Sequence, residues 1–399
     1  MSRRPGLLGS YYLYQAAASC VFFWPMFYVY YEERVGLGVA TILWIQSYYV
    51  TVRAVLDLPL GAVADRYSRT ACLVAYAVCH MAGSAMLLIT PTLAGVLVAE
   101  TVFAVGGAFR SGADSAFLFD SLQAADRLDV YPQAESRTQA VISIATAATA
   151  VIGGLLAAVD LRLPYVATFF AAAASGAVAL AFGEPGRAHG SRPASVTRLA
   201  RDVVRHAVAS PAIRWVMALA AFAVVSSHVY FYLQQPYLRA IGVPLALFGV
   251  VFAASKAVTA AVASVAHRID AALGPRAATA MMAAVPAVGL GGMSLVAVPA
   301  GATLILTRGL LDGLWQPLLN VYMNRLVDSR LRATMLSAQS LVARLALAGA
   351  IALLGVGTAR AGLSATLAAA ALAAAVAGFV LVVTGPRAPG RRACRGTAV

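Results

Sequence analysis

The run LAGVLVAETVFAVGGAFRSGADSAFLF, residues 93–119, is apolar enough to cross a bilayer, yet it carries Glu100, Arg110 and Asp114. About 20 apolar residues in helical form span the hydrocarbon core. On a soluble helix, Arg110 and Asp114 would be an ordinary surface pair one turn apart. At a bilayer midplane each charge costs roughly 2.5–3.5 kcal/mol. The spacing recurs 198 residues further on, in LTRGLLDGL (306–314), with Arg308 and Asp312. The four charges together would cost about 10–14 kcal/mol if unpaired and facing lipid. They must therefore look onto a wet interior and be at least partly paired.

The rest of the chain confirms the solvent. Of 399 residues, 61% are hydrophobic and 12% charged, with mean hydropathy +0.80; a soluble domain carries about a quarter charged residues. Twelve apolar segments can be drawn, at 10–31, 38–64, 70–90, 92–119, 138–160, 163–183, 213–237, 243–268, 275–298, 300–323, 333–357 and 362–384. Helices satisfy their own backbone groups in lipid, and the alternation of a membrane barrel is absent. The expectation is an all-α integral membrane protein with twelve transmembrane helices. Motifs for phosphate cradles, dinucleotides, zinc proteases and serine hydrolases are missing, so neither ATP use nor an enzyme is expected. Cys20, Cys72, Cys79 and Cys394 show no metal or disulfide spacing. No cofactor or metal is expected.

Charge sets the orientation. Arginines 3, 4, 66, 69, 127, 137, 187, 192, 198, 201, 205, 214, 268, 276, 325, 330, 332, 387, 391, 392 and 395 fall in loops or termini on one side, and arginines 34, 162, 239 and 360 on the other. The positive-inside rule then puts both termini in the cytoplasm of a multi-pass plasma (inner) membrane protein. The excess of +14 is scattered over short loops, which fits membrane topology rather than nucleic acid. MSRRPGLL leads into a long apolar segment and is read as the start of an uncleaved first span.

The longest polar break is 184–212. Within it, 195–209 reads as an amphipathic helix, with Val196, Leu199 and Val203 on one face and Arg198, Arg201 and Arg205 on the other. Such a helix lies on anionic lipid or serves as a plain tether. It separates an N-terminal six-helix bundle (1–183) from a C-terminal one (213–399) with a short tail. GAVADR (61–66) matches ASVAHR (263–268), the two Arg-x-x-x-Asp pairs match, and Arg137-Thr138 resembles Arg332-Ala333-Thr334. These repeats imply two pseudo-symmetric six-helix bundles with a midplane site.

DLPLGAVADRYSR (57–69) resembles the signature loop between spans two and three of the major facilitator superfamily, through Gly61, Asp65, Arg66 and Arg69, with Ser68 and Thr70 departing from the pattern. FYLQQPYLRAIG (231–242) and NRLVDSRLRATMLSAQSL (324–341) are similar to stretches of bacterial exporters in that superfamily. TAVIGG (149–154) matches a Gly-Pro-x-x-Gly-Gly element of its proton antiporters at Gly153 and Gly154, with Ala150 in place of Pro. The resemblance implies a latch at Gly61, Asp65, Arg66 and Arg69, where glycine admits a close helix and Asp65 meets a helix N-terminus or an arginine. It also implies that spans four and ten line the central cavity.

Three carboxylates are candidates for proton coupling: Glu100, Asp114 and Asp312. Glu100 leads, because apolar neighbours on its own helix (Val96, Leu97, Phe103, Ala104) make it a carboxyl without a cation beside it. It lies about 12 Å into its span at 1.5 Å per residue. Arg110 and Arg308 are cavity candidates, and each Arg-Asp pair reads equally as an ion bridge that fixes helix packing. Arg53 with Asp57, and Asp120, read as structural supports for the latch. Lys256, the one lysine, is a substrate contact or a partner for Asp312. His228 is a packing or relay residue. Trp24 with its aromatic neighbours Phe23 and Phe27, and Tyr232, Gln235, Trp315, Gln316 and Asn320, complete a candidate lining that suits an amphipathic organic molecule.

The expected activity is proton-coupled efflux of a small organic compound, such as a drug or secondary metabolite, by alternating access of a monomer in contact with lipid. Protonation of Glu100 or Asp114 would bias which face opens, because a neutral carboxyl releases its partner. Uptake or facilitated movement of a metabolite is the alternative, and a lipid-moving or sensor protein is the alternative from another class.

Overall fold

The computed structural model describes residues 6–66, 68–184, 210–326 and 329–385, except for the side chains of 58, 62–66, 112, 320, 324–326, 329–334 and 337. The amphipathic stretch 195–209, the tail, and the side chains of Asp65, Arg66 and Asn320 lie outside the described residues.

The described residues are helical and pass as twelve spans. Span one is Leu7–Ala18 followed by Phe27–Val35, and spans two to seven are Val39–Arg66, Arg69–Ile89, Leu93–Ala124, Tyr131–Val159, Leu163–Leu180 and Pro211–Ala240. Spans eight and nine share Leu245–Leu295, and spans eleven and twelve share Ser329–Thr384. Those two long stretches break at Gly274 and Gly362, both at φ 79, a left-handed conformation that a side chain would disfavour. Span ten is Leu306–Leu326, entered through a short 3-10 turn at Pro299–Ile305. Among the described residues, eight helical stretches are long and apolar enough to cross a membrane by themselves.

The chain divides into two compact units. One comprises Met1–Pro193, Gln235–Lys256 and Ile351–Ala359; the other comprises Ala194–Gln234, Ala257–Ala350 and Arg360–Val399. In the first unit span three packs along spans four and six, and span two along span four. Its core includes Tyr11, Tyr14, Leu73, Tyr76, Phe117 and Leu122. In the second unit Trp215, Leu219, Met282, Leu311, Leu318 and Met323 form the core, and the Trp215 indole donates to the Leu381 carbonyl at 2.8 Å.

Span one departs from the expectation of one continuous helix over 10–31. It is interrupted between Ala18 and Phe27. Pro25 lacks an amide proton, and its ring clashes with a carbonyl in the preceding turn of a helix. Backbone groups released by the break cannot be left bare in a membrane. Other spans take them up. Tyr76 Oη donates to the Ala18 carbonyl at 2.6 Å, the Phe22 amide donates to Thr168 Oγ1 at 3.0 Å, and Gln235 Nε2 donates to the Trp24 carbonyl at 3.0 Å. Span five meets this break closely, since a Cβ on Gly153 would strike the Phe22 carbonyl. Span eight approaches span five just as tightly: a Cβ on Gly249 would strike the Ala150 carbonyl, and one on Gly154 would lie 2.8 Å from the Ala246 carbonyl.

Candidate functional site

Arg110 and Asp114 are paired, Nε to Oδ2 at 3.1 Å, and the pair belongs to a larger network. Gln15, from the first helix of span one, serves both members. Its Oε1 accepts from Arg110 Nη2 at 2.8 Å, while its Nε2 donates to Asp114 Oδ1 and, at 2.7 Å, to Tyr11 Oη. Tyr11 Oη donates to Asp114 Oδ1 at 2.9 Å. Arg110 Nη1 donates to the Ala18 carbonyl and Tyr76 Oη, both at 3.2 Å, and its guanidinium lies 4.9 Å from the Tyr76 ring centroid. Arg110 thus sits at the carbonyl end of helix Leu7–Ala18, where the helix dipole favours a cation.

Glu100, on the same span four, has different company. It is buried. Tyr31 Oη donates to its Oε1 at 2.8 Å and Gln46 Nε2 at 2.7 Å. Both donors are neutral, and among the described residues no cation is paired with it. Its charge can therefore change without leaving an opposite charge stranded, whereas neutralising Asp114 would strand Arg110.

Arg53 and Asp57 meet at 3.7 Å. Arg53 Nη2 donates to the Gly107 carbonyl at 3.0 Å, and Asp57 Oδ1 accepts from Ser111 Oγ at 2.9 Å. These contacts tie span two to span four.

In the second unit, Arg308 Nε lies 3.4 Å from Asp312 Oδ2. It also lies 3.5 Å from Ser227 Oγ, and the guanidinium stands 5.3 Å from the Phe231 ring centroid. Trp315 Nε1 donates to Asp312 Oδ1 at 3.3 Å. His228 Nδ1 is 2.8 Å from the Val224 carbonyl one turn back, and its ring lies 6.4 Å from that of Tyr232, which is buried. Gln316 is exposed. Arg308, Asp312, Trp315, His228 and Tyr232 are thus near neighbours.

Three lining candidates fall in the first unit. Lys256 Nζ is 5.8 Å from the Phe252 ring centroid. Trp24 is 45% exposed, while Gln235 is buried and fully used: its Oε1 accepts the Tyr28 amide at 3.0 Å and its Nε2 holds the Trp24 carbonyl. Gln235 acts as a backbone clamp on broken span one. Phe23 stacks on Tyr165 at 4.6 Å, and Phe27 is buried like it.

At the latch, Arg69 Nη1 pairs with Asp120 Oδ2 at 3.0 Å. Gly61 does not make the close helix approach expected of it: a Cβ there would meet no described atom within 4 Å. The departure at Ser68 has a physical account. Ser68 caps helix Arg69–Ile89, its Oγ accepting the Ala71 amide at 2.9 Å. Glu184, at the end of span six, covers the same helix end. Its Oε2 accepts from Ser68 Oγ at 2.6 Å and from the Thr70 amide at 3.2 Å, and its Oε1 accepts the Arg69 amide at 2.9 Å. Partial burial pushes the Glu184 pKa up, but the hydrogen bonds from Ser68, Arg69 and Thr70 outweigh this and hold the carboxyl below its ordinary range.

The sequence reading missed Gln15, Tyr11, Tyr76, Tyr31, Gln46 and Glu184. Pro25 is the available signal for Tyr76, which answers the Ala18 carbonyl at the broken span; Gln15 and Tyr11 answer the charges of Arg110 and Asp114 instead. Nothing local in the sequence pairs Tyr31 or Gln46 with Glu100.

The fold is that of known solute transporters. The crystal structure of the nucleoside transporter NupG superposes with TM-score 0.77 at 14% identity, covering 96% of this chain and 100% of that one. A bacterial homologue of the human lysosomal transporter Spinster, inward-facing and unoccupied, gives 0.69 at 15% identity, with 95% and 96% covered. A POT family transporter in complex with 5-aminolevulinic acid gives 0.66 at 13%, with 94% and 93% covered. At these identities the likeness concerns the fold alone. No curated protein matches the chain in sequence. Residues 9–353 match the family model of the Major Facilitator Superfamily, and the chain is an integral membrane transport protein belonging to that superfamily.

Proposed function

We propose that this protein exports a small amphipathic organic compound in exchange for protons, with Glu100 as the proton carrier. One observation carries the reading: Glu100 is a buried membrane carboxyl whose hydrogen-bond donors, Tyr31 and Gln46, are both neutral. A buried charge without a counter-ion is costly, so gain and loss of a proton there has leverage over the conformation around it. Asp114 is held by Arg110, Gln15 and Tyr11, and we assign it a structural role. Asp312, beside Arg308 and Trp315, belongs with Arg308, Tyr232 and His228 to a polar and aromatic wall suited to the substrate.

In this reading the chain works by alternating access as a monomer in the plasma membrane, with both termini cytoplasmic. Residues 1–183 and 213–399 form the two six-helix halves, and 184–212 joins them. Likeness to a nucleoside transporter favours a second reading, in which a flat hydrogen-bonding metabolite is taken up. Proteoliposomes with an imposed pH gradient separate the two. In the export reading, a panel of amphipathic amines and nucleosides moves against the proton flux, and Glu100→Gln protein inserts normally but shows no gradient-driven movement. Movement with the proton flux establishes uptake, and full coupled activity in Glu100→Gln excludes Glu100 as the carrier.

A further inference from the structure

Spans four and five carry a second polar stripe, apart from Glu100, Arg110 and Asp114. On span four it runs through Ser111, Ser115 and Phe119, and on span five through Tyr131, Glu135, Gln139 and Ser143. Each set steps by four residues and so keeps to one helix face. Ser111, Ser115, Phe119, Gln139 and Ser143 are exposed, and Tyr131 and Glu135 are half-buried. Hydroxyl, amide and carboxyl groups on successive turns are costly against acyl chains. The stripe therefore looks onto water. Ser111 joins it to span two through Asp57. Phe119 immediately precedes Asp120, the partner of Arg69, so in the orientation proposed above the stripe reaches the cytoplasmic end.

At that end the two helices converge. The rings of Phe119 and Tyr131 meet edge to face, with centroids 5.3 Å apart. Glu135 lies one turn beyond Tyr131. Its Oε1 accepts from Ser115 Oγ at 3.5 Å and from Gln139 Nε2 at 3.2 Å, both neutral donors. Its Oε2 is turned inward and accepts no hydrogen bond among the described residues. The neighbouring acids on spans two and four are already matched: Asp57 with Arg53, Asp114 with Arg110 and Asp120 with Arg69. Arg137, two residues along the helix from Glu135, points to another side. Glu135 thus leaves one negative charge on a water-facing wall beside two aromatic rings. Unlike Glu100 it is half-exposed, so it keeps its charge without a counter-ion.

We infer that Ser115, Phe119, Tyr131, Glu135 and Gln139 form an entry site for an organic cation, a protonated amine carried on an apolar body. The inference rests on the export reading and names its substrate class. An ammonium group pairs with both oxygens of Glu135 once the side chain turns to the exposed face, displacing the long bond from Ser115. The ring faces of Phe119 and Tyr131 attract the same charge, and the apolar body covers Phe119, which is 40% exposed. Ser115 and Gln139 remain to hydrogen-bond polar groups of the bound molecule. A neutral compound gains the apolar contact alone, and an anion is repelled by Glu135.

The test is equilibrium binding to full-length protein in proteoliposomes at pH 7 with no gradient, corrected for uptake by empty vesicles. The probes are radiolabelled 4-phenylbutylammonium, 4-phenylbutanol and 4-phenylbutyrate, which share one apolar body and differ in charge. The ammonium should bind tightest and the carboxylate weakest. Glu135→Gln should weaken the ammonium about tenfold, the scale of a hydrogen bond to a charged group, and leave the alcohol unchanged. Tyr131→Leu should weaken the ammonium about threefold, and it carries the test if Glu135→Gln fails to fold. Equal binding of the three probes, ammonium binding undiminished in a folded Glu135→Gln, or an equal loss for alcohol and ammonium overturns the site. Glu100→Gln should bind the ammonium as the native protein does, since no contact joins Glu100 to the site. Binding and coupling therefore fail separately: gradient-driven transport retained in Glu100→Gln removes the proton carrier, whereas undiminished ammonium binding in Glu135→Gln removes this site alone.

Discussion

Glu100 and Asp114 are two carboxylates on one helix, and the structure treats them in opposite ways. Asp114 receives a guanidinium, an amide and a phenol; among the described residues Glu100 receives an amide and a phenol alone. One cation makes the difference. A carboxylate locked to arginine holds structure, because removing its charge abandons the partner. A carboxylate among neutral donors can exchange a proton and pass the change to whatever lies over it. The presence of a buried acid therefore does not by itself mark a proton site; the charge of its neighbours does.

The largest expected effect tests that contrast. Glu100→Gln should reduce transport driven by a pH gradient to the level of protein-free vesicles while leaving thermal stability in detergent nearly unchanged. Asp114→Asn should do the reverse: the protein loses stability on the order of 3 kcal/mol, the scale of breaking a buried ion pair, and any folded fraction keeps its coupling to pH. Thermal unfolding of the single variants and of Arg110→Gln with Asp114→Asn makes the point sharper, since the double variant should lose less than the sum. Equal stability losses at Glu100 and Asp114 would erase the distinction.

A smaller effect is expected at the contact of spans five and eight. Gly249→Ala places a methyl group against the Ala150 carbonyl and should cost about 1–3 kcal/mol, as overpacking does. Unfolding in detergent measures it, and an unchanged melting temperature would show that this approach is looser than described. The smallest effect is at Glu184. Its folded-state carboxyl lies below its ordinary range, so the stability it contributes is present above the unfolded-state value and is lost as the pH falls through the folded one. Glu184→Gln should lower stability slightly near pH 9, where the carboxylate contributes, leave it nearly unchanged in acid, and so flatten that acid limb of the stability curve. An unaltered acid limb would remove Glu184 from the account.

Much of the fold could be read from the chain. Hydropathy locates spans because lipid imposes one rule on every backbone group. The pairing of Arg110 with Asp114, and of Arg308 with Asp312, followed from spacing alone. The interruption of span one at Pro25 was not anticipated, because its apolar run is unbroken and hydropathy does not register a missing amide proton. Gln15 is invisible for a different reason: it answers charges brought near by tertiary structure. Gln235 was placed in a lining by its polarity, yet the fold spends both its polar atoms on the backbone at Trp24 and Tyr28. Ser68 looked like a weakened signature loop and is a helix cap supported by Glu184.

Infrared spectroscopy of reconstituted protein tests the central claim most directly, by following the stretch of the protonated carboxyl through a pH titration. The account predicts a band from one buried carboxyl that titrates, persists in Asp114→Asn and vanishes in Glu100→Gln. A band that survives in Glu100→Gln and disappears in Asp114→Asn would contradict it.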